Sequence, residues 1–142
     1  MLSYEVFFCY VPKQQVMEHS PKKILVIDDD LLFTAILDVR LRNEGFEVLS
    51  CQTGEEGFEQ YQRWKPDLTL LDIRLPSMSG HEVMERIKTL DPVAKVILIT
   101  AFAESTSSEA EIEKGATSFY DKSLSAEKLI ILVKSALSLK TS

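Results

Sequence analysis

A chain of 142 residues, 45% hydrophobic and 27% charged, can bury a single core without disulfides or a structural metal. Its formal net charge of −6 argues against a broad nucleic-acid or anionic-membrane surface, because either needs a basic patch to neutralise phosphates. The two cysteines, Cys9 and Cys51, have neither metal-type spacing nor a CxxC arrangement, so they read as free thiols with no sign of an oxidising compartment.

The first stretch, Met1–Pro12, is apolar but is broken by Glu5, lacks a basic start and has no small-residue cleavage site. It is also shorter than the ~20 apolar residues that span a bilayer. Neither a signal peptide nor an anchor is expected. Two readings stay open: a segment that packs on the domain or on a second copy, or a start placed too early, since Met17 directly precedes the domain.

From Lys22 onward, short apolar runs alternate with longer amphipathic stretches. The runs Ile24–Ile27, Phe46–Cys51, Leu68–Leu71, Val96–Ile99 and Thr117–Tyr120 have strand length, three of them are almost uninterrupted apolar residues, and such runs suit a parallel sheet covered on both faces. The first helix is predicted over Leu31–Asn43, capped by Asp29 or Asp30, with Leu32, Phe33, Ile36 and Val39 inward and Gly45 ending the turn. The second is predicted over Gly54–Trp64 and closed by Pro66. The third runs over Gly80–Leu90 and stops at Asp91-Pro92. The fourth, Ser105–Lys114, is unusually polar, with only Ala110 and Ile112 as clear anchors, and is expected to fray easily. The fifth, Ser125–Leu139, starts on Ser125 as cap and carries a stripe of Leu129, Leu132, Val133 and Ala136.

Five strands alternating with five helices predict βαβ units and a doubly wound α/β sheet. The site of such a sheet lies at the carboxyl ends of its strands. There the sequence places Asp28-Asp29-Asp30, Asp72, Thr100 and Lys122. Converging carboxylates repel one another, and a hard divalent cation with oxygen ligands, Mg²⁺ or Mn²⁺, relieves that. A carboxylate beside such a cation is a nucleophile toward phosphorus. The Thr100 hydroxyl and Lys122 ammonium are suited to the phosphoryl oxygens. Taken singly, Thr100 reads as a turn residue and Lys122 as a surface charge; it is their place on strands flanking Asp72 that gives them a role.

In order and spacing, Ile24-Leu25-Val26-Ile27-Asp28-Asp29-Asp30, Leu70-Leu71-Asp72-Ile73-Arg74-Leu75-Pro76 with Met78 and Gly80, Ile97-Leu98-Ile99-Thr100-Ala101, Gly115-Ala116 and Phe119-Tyr120-Asp121-Lys122 resemble bacterial two-component response-regulator receiver domains. The likeness covers about Lys22 to Leu139 and is to a stand-alone, chemotaxis-Y-like receiver. Residues 1–20 are then an N-terminal extension and 21–142 the receiver domain. The resemblance implies a flavodoxin-like five-stranded parallel sheet of order 2-1-3-4-5 with five helices. It implies Mg²⁺ on Asp28, Asp29, Asp72 and the main-chain carbonyl of Arg74. It further implies phosphorylation of Asp72 by a histidine kinase or a histidine phosphotransfer protein, with Thr100 and Lys122 on the phosphoryl oxygens and Thr100 and Phe119 as switch residues. The chain then catalyses only its own phosphorylation and dephosphorylation. The output is expected on the face from the fourth helix through the fifth strand to the fifth helix, toward a protein target or a second copy. A cytoplasmic location follows, with no nucleic acid or membrane as partner.

Arg74 and Phe102, each two residues past a chemical position, are expected to overhang the phosphoryl group and slow its loss. Where such receivers usually carry a proline after the lysine, in a cis bond, this chain has Ser123; a trans Lys122–Ser123 bond and a looser following loop are expected. Two competing readings are a haloacid-dehalogenase-like phosphohydrolase using Asp28 and Asp30, which lacks the acidic pair after Lys122, and a receiver-like module that binds partners without phosphorylation.

Overall fold

The computed structural model describes residues 20–101 and 108–139. The elements are β1 (Lys23–Ile27), α1 (Leu31–Asn43), β2 (Glu47–Cys51), α2 (Gly54–Trp64), β3 (Leu68–Asp72), α3 (Gly80–Leu90), β4 (Val96–Thr100), α4 (Ser108–Glu113), β5 (Ser118–Asp121) and α5 (Ala126–Ala136). All strand pairs are parallel, in the order β2-β1-β3-β4-β5. This is the predicted 2-1-3-4-5 sheet.

Side chains alternate across the sheet, so each central strand feeds two cores. Ile24 and Val26 of β1 join Leu70, Ile97, Ile99, Leu129 and Val133 on one face. Leu25 and Ile27 join Leu71, Leu98, Val83 and Ile87 on the other. This two-sided burial is why β1, β3 and β4 read as nearly unbroken apolar runs, with Thr69 the polar residue inside β3.

The helix starts are fixed by local chemistry. Asp30, Thr53, Ser79 and Ser125 each accept a backbone N–H of the first turn of α1, α2, α3 and α5. Ser79 and Glu82 form a reciprocal capping box. α2 ends on Lys65 in the left-handed region (φ 54), directly before Pro66, where a helical residue is disfavoured.

Two expectations are corrected. The buried stripe of α1 is Thr34, Leu37 and Leu41, with Phe33 half-buried beside it; Leu32, Ile36 and Val39 face outward at 72%, 53% and 57% exposure. The helix carries apolar side chains at both spacings, so periodicity alone does not choose between them. On α4, Ile112 is 51% exposed, and Glu111 is the buried side chain among those described; it finds a partner on α3. The predicted start of that helix, 105–107, lies outside the described residues, as do Met1–Pro12, Met17 and Phe102.

The Lys122–Ser123 bond is trans, as expected. The turn after it is tied down: Ser123 N–H donates to Asp121 Oδ1, and the Tyr120 hydroxyl reaches the Leu124 and Ser125 carbonyls at 2.8 and 3.0 Å. α5 carries the expected Leu129, Val133 and Ala136 inward, with Ile130 buried and Leu132 half-buried beside them.

Candidate functional site: an acidic cluster at the carboxyl edge of the sheet

β1 and β3 lie side by side, so their carboxyl ends bring Asp28 and Asp72 together. One ligand atom from each of Asp28, Asp29 and Asp72 falls within 4.8 Å of the others. Asp28 is fully buried and Asp72 is 6% exposed, whereas Asp29 faces solvent. Asp28 Oδ1 accepts the Asp30 N–H at 2.9 Å, and Asp72 Oδ1 accepts the Arg74 N–H at 3.0 Å. Each inner carboxylate is thus held through one oxygen by the backbone two residues on, leaving its second oxygen for the cluster.

Those second oxygens meet Lys122. Its Nζ lies 2.7 Å from Asp28 Oδ2 and 3.3 Å from Asp72 Oδ2. The first contact is a close ion pair, although the ammonium is not aligned on the buried Asp28 Oδ2 as a hydrogen-bond donor. Burial alone would lower the Lys122 pKa; the close contact and charge of Asp28, then those of Asp72, outweigh burial and leave it raised. Asp72 is pushed up to about 6, first by burial and then by the charge of Asp28, against the lowering pull of the Arg74 N–H and of Lys122.

β4 delivers Thr100, 2% exposed, to the same edge. Its carbonyl accepts the Lys122 N–H at 2.9 Å, which fixes where β5 hands over to the lysine. Thr100 lines a cavity of about 640 Å³ with Arg74, Ser77, His81, Glu111 and Lys114. Phe119, on β5 opposite Leu98, is half-buried against the α2–α3 core. Thus Asp28, Asp29, Asp72, Arg74, Thr100 and Lys122 converge on one edge, with Phe119 behind it. Asp30, by contrast, is spent as the cap of α1, donating no carboxylate to the cluster.

Gly80 keeps the loop after β3 folded onto the site. Its N–H donates to the Ile73 carbonyl at 2.8 Å, and a Cβ there would stand 2.2 Å from the Asp72 carbonyl oxygen. Only a residue without a side chain fits that approach.

Two features were missed in the sequence. The Phe33 ring lies under the Lys122 ammonium, 4.6 Å from centroid to Nζ. His81 on α3 meets the buried Glu111 on α4 at 2.5 Å. A histidine following Gly80 and a glutamate within a polar helix carry no local signal of such pairing.

The family profile described as "Response regulator receiver domain" matches residues 24–134. The chain is 31% identical over 121 residues to the transcriptional regulatory protein GlrR of Escherichia coli, covering 85% of this chain and 27% of that protein. It is 30% identical over 120 residues to sporulation initiation phosphotransferase F of Bacillus subtilis, covering 84% of this chain and 97% of that protein. Among solved structures, the CheX-CheY-BeF3-Mg²⁺ complex from Borrelia burgdorferi contains a similar chain, with a TM-score of 0.77 and 29% identity over 82% of this chain and 90% of that one. The chain therefore spans about a quarter of the first relative's length and nearly all of the second's.

Proposed function

The chain belongs to the response regulator receiver domain family of two-component systems, and from that premise we propose that Asp72 is its phosphoacceptor. The observation that carries the proposal is the convergence of Lys122 on two buried carboxylates, at 2.7 Å from Asp28 and 3.3 Å from Asp72. An Asp72 oxygen forms the new bond to phosphorus as the bond from phosphorus to the donor's imidazole nitrogen breaks. Lys122 and the Thr100 hydroxyl then take up the charge of the phosphoryl oxygens. At neutral pH a carboxyl with a pKa of about 6 is mostly ionised and ready to attack.

The donor set suits a divalent cation: oxygen ligands only, with three carboxylates within reach of one point. Asp28, Asp29, Asp72 and the Arg74 carbonyl would hold Mg²⁺ or Mn²⁺, which when bound supplies charge neutralisation at the phosphoryl group. The chain acts on no other substrate; it promotes only its own phosphorylation and dephosphorylation.

The partner that supplies the phosphoryl group is a histidine kinase or a histidine phosphotransfer protein. It must approach Asp72 over the rim where α1 begins, and that rim carries the exposed Leu31, Leu32 and Ile36. The output face runs over α4, β5 and α5. A short polar α4, a half-buried Phe119 and the exposed Ile112 and Ile131 support it, and it would receive a protein target or a second copy. The phosphohydrolase alternative needs Asp30 as a working acid, and Asp30 is committed to the α1 cap.

The test is incubation with acetyl phosphate and Mg²⁺, read by intact mass. The parent is expected to gain one phosphoryl group that hydroxylamine removes, and Asp72→Asn to gain none. Equal uptake by parent and variant would place the acceptor elsewhere.

A further inference from the structure

We propose that Phe33 is a positioning residue for Lys122, its ring holding the ammonium over the Asp28–Asp72 pair by a cation–π contact. The proposal rests on the phosphoacceptor reading of Asp72 and deepens it. Nζ of Lys122 lies 4.6 Å from the Phe33 centroid, inside the ~6 Å over which a ring face attracts a cation. The lysine side chain is only 13% exposed, so little water competes for that attraction.

The lysine needs such a support. Its stem has four rotatable carbons and adopts many rotamers unless something limits them. Lys122–Ser123 is an ordinary trans bond, so the backbone does not aim the stem by an unusual geometry. Of the three groups around Nζ, two are carboxylates of the reacting cluster, and both change charge or partners when the site takes up a cation or a phosphoryl group. The ring does not. It is anchored independently, half-buried on α1 against the core that includes Leu37, Leu41 and Leu129. Phe33 therefore keeps the ammonium aimed while the charges around it change.

The position also fixes the kind of side chain that works. An aliphatic residue would fill the same gap in the core but offer no negative ring face. Tyrosine or tryptophan would preserve that face.

The full chain with Phe33→Leu and Phe33→Tyr tests this in two readouts. NMR of the Lys122 ε-methylene, assigned by its loss in Lys122→Arg, reports the ring-current shift without phosphorylation. That shift is expected in the parent and in Phe33→Tyr and is expected to vanish in Phe33→Leu. Phosphorylation by acetyl phosphate at saturating Mg²⁺ should slow roughly threefold to tenfold in Phe33→Leu, with unchanged Mg²⁺ affinity, and recover in Phe33→Tyr. An unshifted Lys122 resonance in the parent, a parent-like rate in Phe33→Leu, or a Phe33→Tyr variant as slow as Phe33→Leu would each overturn the assignment. If the parent takes up no phosphoryl group, the phosphoacceptor reading fails. The Lys122 resonance then still decides the contact, since loss in Phe33→Leu supports it and persistence overturns it.

Discussion

Nε2 of His81 on α3 lies 2.5 Å from Oε1 of Glu111 on α4, and the Glu111 side chain is 1% exposed. A helix of six residues with an exposed Ile112 has little apolar burial to hold it, so this pair, with Lys114 at 3.8 Å from the other carboxylate oxygen, ties α4 to the body. His81→Ala should destabilise the chain by about 1–3 kcal/mol, because a buried acceptor loses its nearest donor. Hydrogen exchange should rise in 108–114 more than elsewhere. Parent-like protection there would mean α4 is held by other contacts.

Asp72 sets a pH dependence of definite sign. Its folded-state pKa, about 6, exceeds its ordinary value of 3.8, so the fold favours the protonated form. The stability this group contributes is fully present below about 3.8 and is lost as pH rises through about 6. In chelator at pH 7, Asp72→Asn should therefore be more stable than the parent, by about 1–2 kcal/mol once the lost Lys122 ion pair is allowed for. Urea unfolding at pH 7 and pH 4 checks this: the gap between variant and parent should shrink at the lower pH.

Asp28→Asn and Asp29→Asn each remove an oxygen charge from the three-carboxylate cluster. Each should weaken Mg²⁺ binding about tenfold or more and slow phosphorylation, with little loss of fold. Calorimetric titration decides it, and parent-like affinity in both variants would remove the assigned pocket.

The outward turn of α1 predicts unequal costs for neighbouring truncations. Leu37, 3% exposed, sits in the core, and Ile36 is 53% exposed. Leu37→Ala should cost about 2–4 kcal/mol, and Ile36→Ala less than about 0.5 kcal/mol. Thermal unfolding of the pair would reveal a reversed face if the order came out the other way.

Gly80→Ala would set a Cβ 2.2 Å from the Asp72 carbonyl oxygen and 2.8 Å from Ile73 Cα. Neither is a flexible side-chain end, so the strand end carrying Asp72 must shift. A loss of about 2–4 kcal/mol is expected, together with slower phosphorylation. Unfolding midpoints and acetyl phosphate kinetics on the same sample measure both.

The sheet and the cluster were legible because each depends on residues close in sequence to a strand. β1, β3 and β4 are covered on both faces, which forces runs such as Ile24–Ile27 and Val96–Ile99. Asp28, Asp72 and Thr100 stand where those runs stop, and a parallel sheet gathers such ends by construction. The inward face of α1 was not legible: Leu32, Ile36 and Val39 make as good an apolar stripe as Phe33, Leu37 and Leu41, and only packing on the sheet distinguishes them. Glu111 is a charged residue whose close partner on α3, His81, stands 30 positions earlier. The Phe33–Lys122 contact joins the first helix to the end of the last strand. Pairings of that kind leave no periodic trace.

Ser20 and Leu139, where the described domain is entered and left, line one cavity together with Lys22, Lys23, Lys65 and Asp67. That cavity lies where β1 and β3 start, and Asp72 lies where β3 finishes, about 16 Å away along five strand residues. Ser20 and Leu139 are thus neighbours at the pole opposite the acidic cluster. A peptide bridging Ser20 and Leu139 in a circularly permuted version would hang from the back of the domain and leave the approach to Asp72 open.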